Sequence, residues 1–103
     1  MRVLIQIVVL LYVGEGGVTA LREHEAEMAP IIYRHGGQII SASHPSAPQP
    51  GDPDEIQILQ FPDMKAFDDF RQDPDSLSKM EQRRHAIRDA RVYITDQFVT
   101  YID

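Results

Sequence analysis

EIQILQFPDMKAFDDFRQDP, residues 55–74, holds two elements in succession. Ile56, Ile58, Leu59 and Phe61 are apolar and β-favouring, with Gln57 and Gln60 between them, so the stretch opens as a strand. Pro62 stops it, because proline has no N–H to give to a ladder. Asp63 then offers a side-chain acceptor at a helix start, and Met64, Phe67 and Phe70 recur at the spacing of one helical face. Asp73-Pro74 closes that short helix. A strand feeding a helix directly, late in a short chain, narrows the architecture sharply.

Working outward, the chain before this stretch has a β-α-β order. Val3 to Val13 is apolar at every odd position, and its even positions carry Leu4, Val8 and Leu10, broken by Gln6 and Tyr12. A strand apolar on both sides is covered on both sides. Gly14 to Gly17 reads as a turn and Val18 to His35 as a helix, with Leu21, Met28, Ile31 and Ile32 on its buried stripe and Gly36-Gly37 as its stop. Pro30 falls inside that helix; it costs about 3 kcal/mol in an ordinary helix interior, so a kink or a division into two pieces is expected. Gln38 to His44 is a second strand, and the proline-rich Pro45 to Asp54 a stiff connection.

After residue 74 the pattern predicts a helix from about Pro74 to Asp89, with Leu77, Met80 and Ile87 inward, and a last strand from Arg91 to Ile102, bent near Asp96-Gln97. The resulting β-α-β-β-α-β order, with right-handed crossovers, predicts an α+β, ferredoxin-like fold in one domain over residues 1–103: a four-stranded antiparallel sheet with its helices on one face. The bare face of such a sheet needs a cover. Two sheets packed face to face, a dimeric α/β barrel, supply it.

Composition removes several classes of function. The chain has 103 residues, 10 Lys and Arg against 16 Asp and Glu, and a formal net charge of −6. That sign disfavours nucleic acid and anionic lipid as partners. With no cysteine, disulfides, thiolate catalysis and cysteine-ligated metals are excluded. Met1-Arg2 and the run Val3 to Val13 imitate a short signal peptide, but a run rich in Val and Ile suits a buried strand better, and it is too short to span a bilayer. A cytoplasmic protein is expected.

The candidate chemistry lies between helices and sheet. His24 and His35 fall within the arc of Leu21, Met28 and Ile32, with Glu25 at its edge. Eleven residues apart, the two imidazoles stand about 16 Å apart along the axis and cannot share a metal. His35, at the helix end, reads as structural, whereas His24, mid-helix, needs a buried partner or a task. On the later helix Arg84 falls between Met80 and Ile87, with Arg83 on its flank; either could form an internal salt bridge, to Glu25 or Glu55, or clamp a substrate carboxylate or enolate. Gln6, Tyr12 and Tyr93 could line the cleft or meet a partner subunit. His85-x-x-x-Asp89 is too little for a metal site, and none is expected. Glycine-rich phosphate loops, G-x-S-x-G and H-E-x-x-H are absent from the sequence, so nucleotide and hydrolase readings have no support.

Ala29-Pro30-Ile31 with His35-Gly36-Gly37, Ile58-Leu59-Gln60-Phe61-Pro62-Asp63, Asp73-Pro74, and Arg83 with Ala86-Ile87 and Val92 together resemble the domain of unknown function 1330 family, of the dimeric α/β-barrel superfamily. The resemblance runs from about Val18 to Tyr93. It implies a ferredoxin-like homodimer with no established cofactor. Superfamily relatives include cofactor-independent monooxygenases of quinol-like polyketides, polyketide cyclases, muconolactone isomerase-like enzymes and haem-degrading enzymes. Arg83 matches a position where the family often has arginine. His24 stands where the family often has an aromatic residue.

The expectation is a small cofactor-independent enzyme acting on an enolisable or aromatic small molecule, as a monooxygenase, isomerase or cyclase. Such chemistry needs a base and a cation or donor for the developing oxyanion. His24 is the candidate base, Arg83 or Arg84 the anion-binding group, and Tyr12, Tyr93, Gln6 and Glu25 the substrate-orienting groups. The alternative is a non-catalytic ligand-binding or structural homodimer, with a haem-linked role third. An open cleft lined by His24 and an arginine favours the enzyme. An interior filled by Met28, Met64, Phe67 and Met80 favours the alternative.

Overall fold

Side-chain alternation along two central strands sets the architecture. The computed structural model describes residues 3–101, in the order β1 (Ile5–Val13), α1 (Gly17–Arg34), β2 (Gln38–Ser43), β3 (Glu55–Phe61), α2 (Met64–Gln72), α3 (Pro74–Leu77), α4 (Met80–Ala86) and β4 (Ile87–Thr95). The strands form one antiparallel sheet in the order β2-β3-β1-β4, the ferredoxin-like arrangement. In the central pair Ile5 faces Phe61, Ile7 faces Leu59, Val9 faces Gln57 and Leu11 faces Glu55. These residues share one side of the pleat.

All the core lies on that side. Ile5, Ile7, Leu59 and Phe61 pack with Ile31 and Ile32 of α1 and Phe67 and Phe70 of α2. Leu11 meets Leu21, Ala86 and Ile87 in a second cluster. Phe61 is completely buried, its ring 5.3 Å from that of Phe67 and 5.6 Å from that of Phe70, in tilted contact. The turn after α1 is made by two glycines with different reasons. Gly36 has φ +79°, and a Cβ on Gly37 would stand 2.6 Å from the Phe61 ring. The chain can pass there only without side chains.

The other side of the sheet carries Gln6, Val8, Leu10 and Tyr12 of β1, Ile56, Ile58 and Gln60 of β3, and Arg91 and Tyr93 of β4, none of them fully buried. The molecule is a slab of 42 × 36 × 16 Å, the thickness of one sheet and one helical layer.

The local signals around residues 55–74 hold. Asp63 Oδ1 accepts from Ala66 N at 2.8 Å and caps α2. Asp73 ends α2 and caps α3, with Pro74 at the start of α3. Pro30 is carried within one continuous α1, so the alternative to a kink, a division into two pieces, does not occur. Some boundaries differ. β1 begins at Ile5 rather than Val3. The helix expected over Pro74 to Asp89 is two short helices separated at Ser78-Lys79, and it ends at Ala86. The last strand therefore starts at Ile87 and stops at Thr95; Ile102 lies outside the described residues. The physical reason for the early strand is pairing: Ile87 and Asp89 already lie opposite Val13 and Tyr12 of β1.

Candidate functional site

Between α1 and the sheet lies a cavity of about 230 Å³, open to solvent. Its walls are apolar: Ile7, Val9 and Leu59 from the sheet, Met28 from α1, Phe67 and Phe70 from α2. Six polar side chains also line it, His24, Glu25, Gln57, Arg71, Ser76 and Arg83, and of these His24 of α1, Gln57 of β3 and Arg83 of α4 all act on the carboxyl of Glu25 of α1. Apolar walls with a few convergent polar groups are the usual form of a small-molecule site.

His24 is 2 % exposed. It occupies the buried stripe of α1 one turn after Leu21 and before Met28, where helical phase places it. Its Nδ1 lies 2.8 Å from Gln82 Oε1 of α4. The same Gln82 donates from Nε2 to Glu27 Oε2, so a carboxylate on α1 holds the amide that meets the imidazole. Lys79 Nζ, 3.4 Å from Glu27 Oε1, braces the carboxylate from the other side. Among the described residues His24 Nε2 has no hydrogen-bond partner, and no fully buried polar side-chain atom is left without one.

Glu25 is half-buried beside it. Burial pushes its carboxyl above the usual carboxylate range, against the opposing pull of the Gln57 amide, His24 and Arg83. Gln57 is 5 % exposed and Glu55 6 %. Gln57 Nε2 donates to Glu25 Oε2 at 2.9 Å and to Glu55 Oε2 at 2.6 Å. Glu55 Oε1 in turn meets His44 Nε2 at 2.8 Å, at the edge of the proline-rich connection. A polar chain thus runs from the cavity through β3 to the end of β2.

The structure brings together three of the residues singled out in the sequence and separates the others. His24, Glu25 and Arg83 face the cavity. Arg84 does not. Its side chain is 65 % exposed and pairs with Glu81 one turn earlier on α4. The expectation failed because its phase was drawn through Met80 and Ile87 as inward markers, whereas Met80 is exposed, Ile87 begins β4, and the buried residue of α4 is Ala86, one turn after Arg83. Gln6, Tyr12 and Tyr93 lie on the opposite side of the sheet: Gln6 pairs with Gln60 at 3.2 Å, and Arg88 sits over the Tyr12 ring at 5.6 Å. They have no access to the cavity. His35 is structural, with Nε2 2.6 Å from Asp73 Oδ2. His85 and Asp89 do not form a helical pair, since Asp89 is in β4, and no group of metal-ligating side chains occurs among the described residues.

Gln57, Gln82 and Glu27 were missed. For Gln57 a signal existed: period-2 phase run back from Phe61 through Leu59 points Gln57 and Glu55 inward. Nothing local marks Gln82, which meets His24 only through the packing of α4 on α1.

The chain matches the family model described as Domain of unknown function (DUF1330) over residues 18–98. No curated protein matches it. Among solved structures it is similar to a protein of unknown function from Rhodopseudomonas palustris, with 18% identity, 97% of this chain and 86% of that one covered, and a TM-score of 0.81. It is also similar to SnoaB, a cofactor-independent oxygenase from Streptomyces nogalater (16% identity, 98% and 99% covered, TM-score 0.71). A third is a dabb family protein with a ferredoxin-like fold from Mesorhizobium loti (11% identity, 96% and 100% covered, TM-score 0.70). At these identities the likeness is one of fold. No helix among the described residues is long and apolar enough to cross a membrane.

Proposed function

Since the chain belongs to the Domain of unknown function (DUF1330) family, whose name assigns no reaction, we propose from the cavity itself that it is a cofactor-independent enzyme for an enolisable or aromatic small molecule. Proton abstraction is the step common to the monooxygenase, isomerase and cyclase chemistries of this kind. His24 takes the proton at Nε2, from a substrate C–H or O–H. The electron pair left on the substrate becomes an enolate or phenolate, and the Arg83 guanidinium faces that charge. Glu25, its carboxyl raised by burial, hydrogen-bonds a substrate oxygen. The apolar wall of Val9, Leu59, Met28 and Phe67 holds the carbon skeleton and excludes water. SnoaB, of the same fold and described as a cofactor-independent oxygenase, supports the class.

The observation that carries this reading is the unpartnered Nε2 of a buried histidine at an apolar cavity that the methionines do not fill. Met28, Phe67 and Met80 line the space rather than occupy it, and Met64 is not part of its wall. The working unit is a homodimer formed by the outer sheet faces, a reading supported by the half-buried apolar Val8, Leu10, Ile56 and Ile58 there.

Thermal-shift measurements against phenols, quinones and small carboxylates identify ligands of the native protein. Those ligands are then assayed for turnover, with oxygen uptake as one readout. His24→Phe abolishes turnover while leaving the fold and the assembly intact; an unchanged rate removes His24 from the mechanism. A second reading, a non-catalytic small-molecule-binding homodimer, is favoured by the apolar share of the lining. It predicts ligand binding without turnover, equally strong in His24→Phe.

A further inference from the structure

We infer that Gln82 is a positioning residue, which, held by Glu27, keeps His24 in its Nδ1–H tautomer and leaves Nε2 as a bare acceptor facing the cavity. The inference rests on the proposed function for its catalytic meaning, but the tautomer is a property of the ring that can be read without turnover.

Glu27 is exposed, and donation from Gln82 holds its carboxyl below the ordinary range, with Lys79 acting in the same direction. It is therefore a carboxylate near neutral pH, and a carboxylate only accepts. Gln82 must then turn its NH2 toward Glu27, which leaves its carbonyl oxygen toward His24. Turning the amide over would set two acceptors against each other at Glu27 and lose a charge-assisted bond. The Gln82 oxygen, 2.8 Å from His24 Nδ1, cannot donate. The hydrogen in that bond is therefore on Nδ1. A neutral imidazole has one ring hydrogen, so Nε2 has none.

The elements make the arrangement stiff. His24 and Glu27 are three residues apart on α1 and share a face. Gln82 reaches both from α4, whose end is tied back to the turn before α1 by Gly14 N to Ala86 O at 2.9 Å and Gly16 N to His85 O at 3.1 Å. The orientation of a ring nitrogen is commonly set by the bond its other nitrogen makes; here the setting group is a carboxamide that a carboxylate has already oriented. A ligand for this Nε2 must bring a proton, as a phenol or enol does.

The test uses the full-length 15N-labelled protein and long-range 1H–15N correlation spectra of the imidazole rings at a pH where they are neutral. His24 is assigned by its loss in His24→Phe. The wild type shows the Nδ1–H pattern. Gln82→Met removes the acceptor and shifts the ring to the Nε2–H form that free imidazole side chains favour in water. Gln82→Glu, whose carboxylate still accepts, retains Nδ1–H. An Nε2–H ring in the wild type overturns the inference whatever the variants do, and so does a folded Gln82→Met with an unchanged pattern. If the tautomer moves in Gln82→Met and turnover does not, the inference stands and the role of His24 as base falls.

Discussion

Glu25 and Glu55 share one side-chain amide: Gln57 Nε2 gives one hydrogen to Glu25 Oε2 at 2.9 Å and the other to Glu55 Oε2 at 2.6 Å. Two carboxylates on neighbouring elements are thereby held together without a cation between them.

Gln57→Leu leaves both acceptors without that donor in a site where neither is fully solvated. Each such loss costs about 1–3 kcal/mol, and the half-buried Glu25 recovers some of it from water. The expected destabilisation is about 2–4 kcal/mol by urea denaturation at pH 7. A variant as stable as the wild type would show that the shared amide contributes nothing.

Glu25 itself burdens the fold at neutral pH. Burial raises its carboxyl above 4.5 in the folded state, so the unfolded chain ionises it first as pH rises. Stability tied to this group is thus full below pH 4.5 and is lost as pH rises through the folded value. Glu25→Gln should melt higher than the wild type at pH 7, with the gain vanishing by about pH 4. A lower Tm for the variant at pH 7 contradicts the assignment.

Asp73 behaves oppositely. His35 donates to it, the backbone N–H of Asp75 adds a second bond and Arg34 a third, so its carboxyl is lowered from 3.8 to about 2. The sign reverses: its contribution is present above pH 3.8 and is lost as pH falls toward about 2. Asp73→Asn keeps an oxygen for the α3 cap but not the charge. Its Tm should fall less than that of the wild type between pH 4 and pH 2, and parallel falls would remove Asp73 as a source of the acid sensitivity.

The outer sheet face offers a separate test. Leu10, half-buried on the single chain, lies at the centre of the face proposed to meet a second copy. Leu10→Asp places a charge there beside its symmetry mate, since each copy presents the same patch. Sedimentation should find the wild type dimeric at micromolar concentration and the variant monomeric, with unchanged circular dichroism. A monomeric wild type would end the dimer proposal.

Much of this was legible in particular residues. Pro62 and Asp63 mark the passage from β3 to α2, and Phe67 and Phe70 lie inward as their spacing says. His24 lies on the buried stripe because helical phase is a local property of one unbroken element. Arg84 shows the limit: the inward side of α4 is set by Ala86, packed with Leu11 and Leu21, and it is Arg83 rather than Arg84 that lies one turn before it. Gln57 was read only as a polar interruption of the apolar strand, although its phase with Phe61 pointed inward.

The chain's own pattern determined the four strands, the first two helices, their order and the inward histidine, since each depends on neighbours within a few residues, but not the division after residue 74 into α3 and α4. Only the folded structure decided which side of a doubly apolar β1 would receive the helices, and so removed Gln6, Tyr12 and Tyr93 from the cavity. It alone brought Gln82 to His24, a separation of 58 residues along the chain. Contacts of that kind depend on how layers pack, and packing couples distant residues whose types carry no local mark of one another.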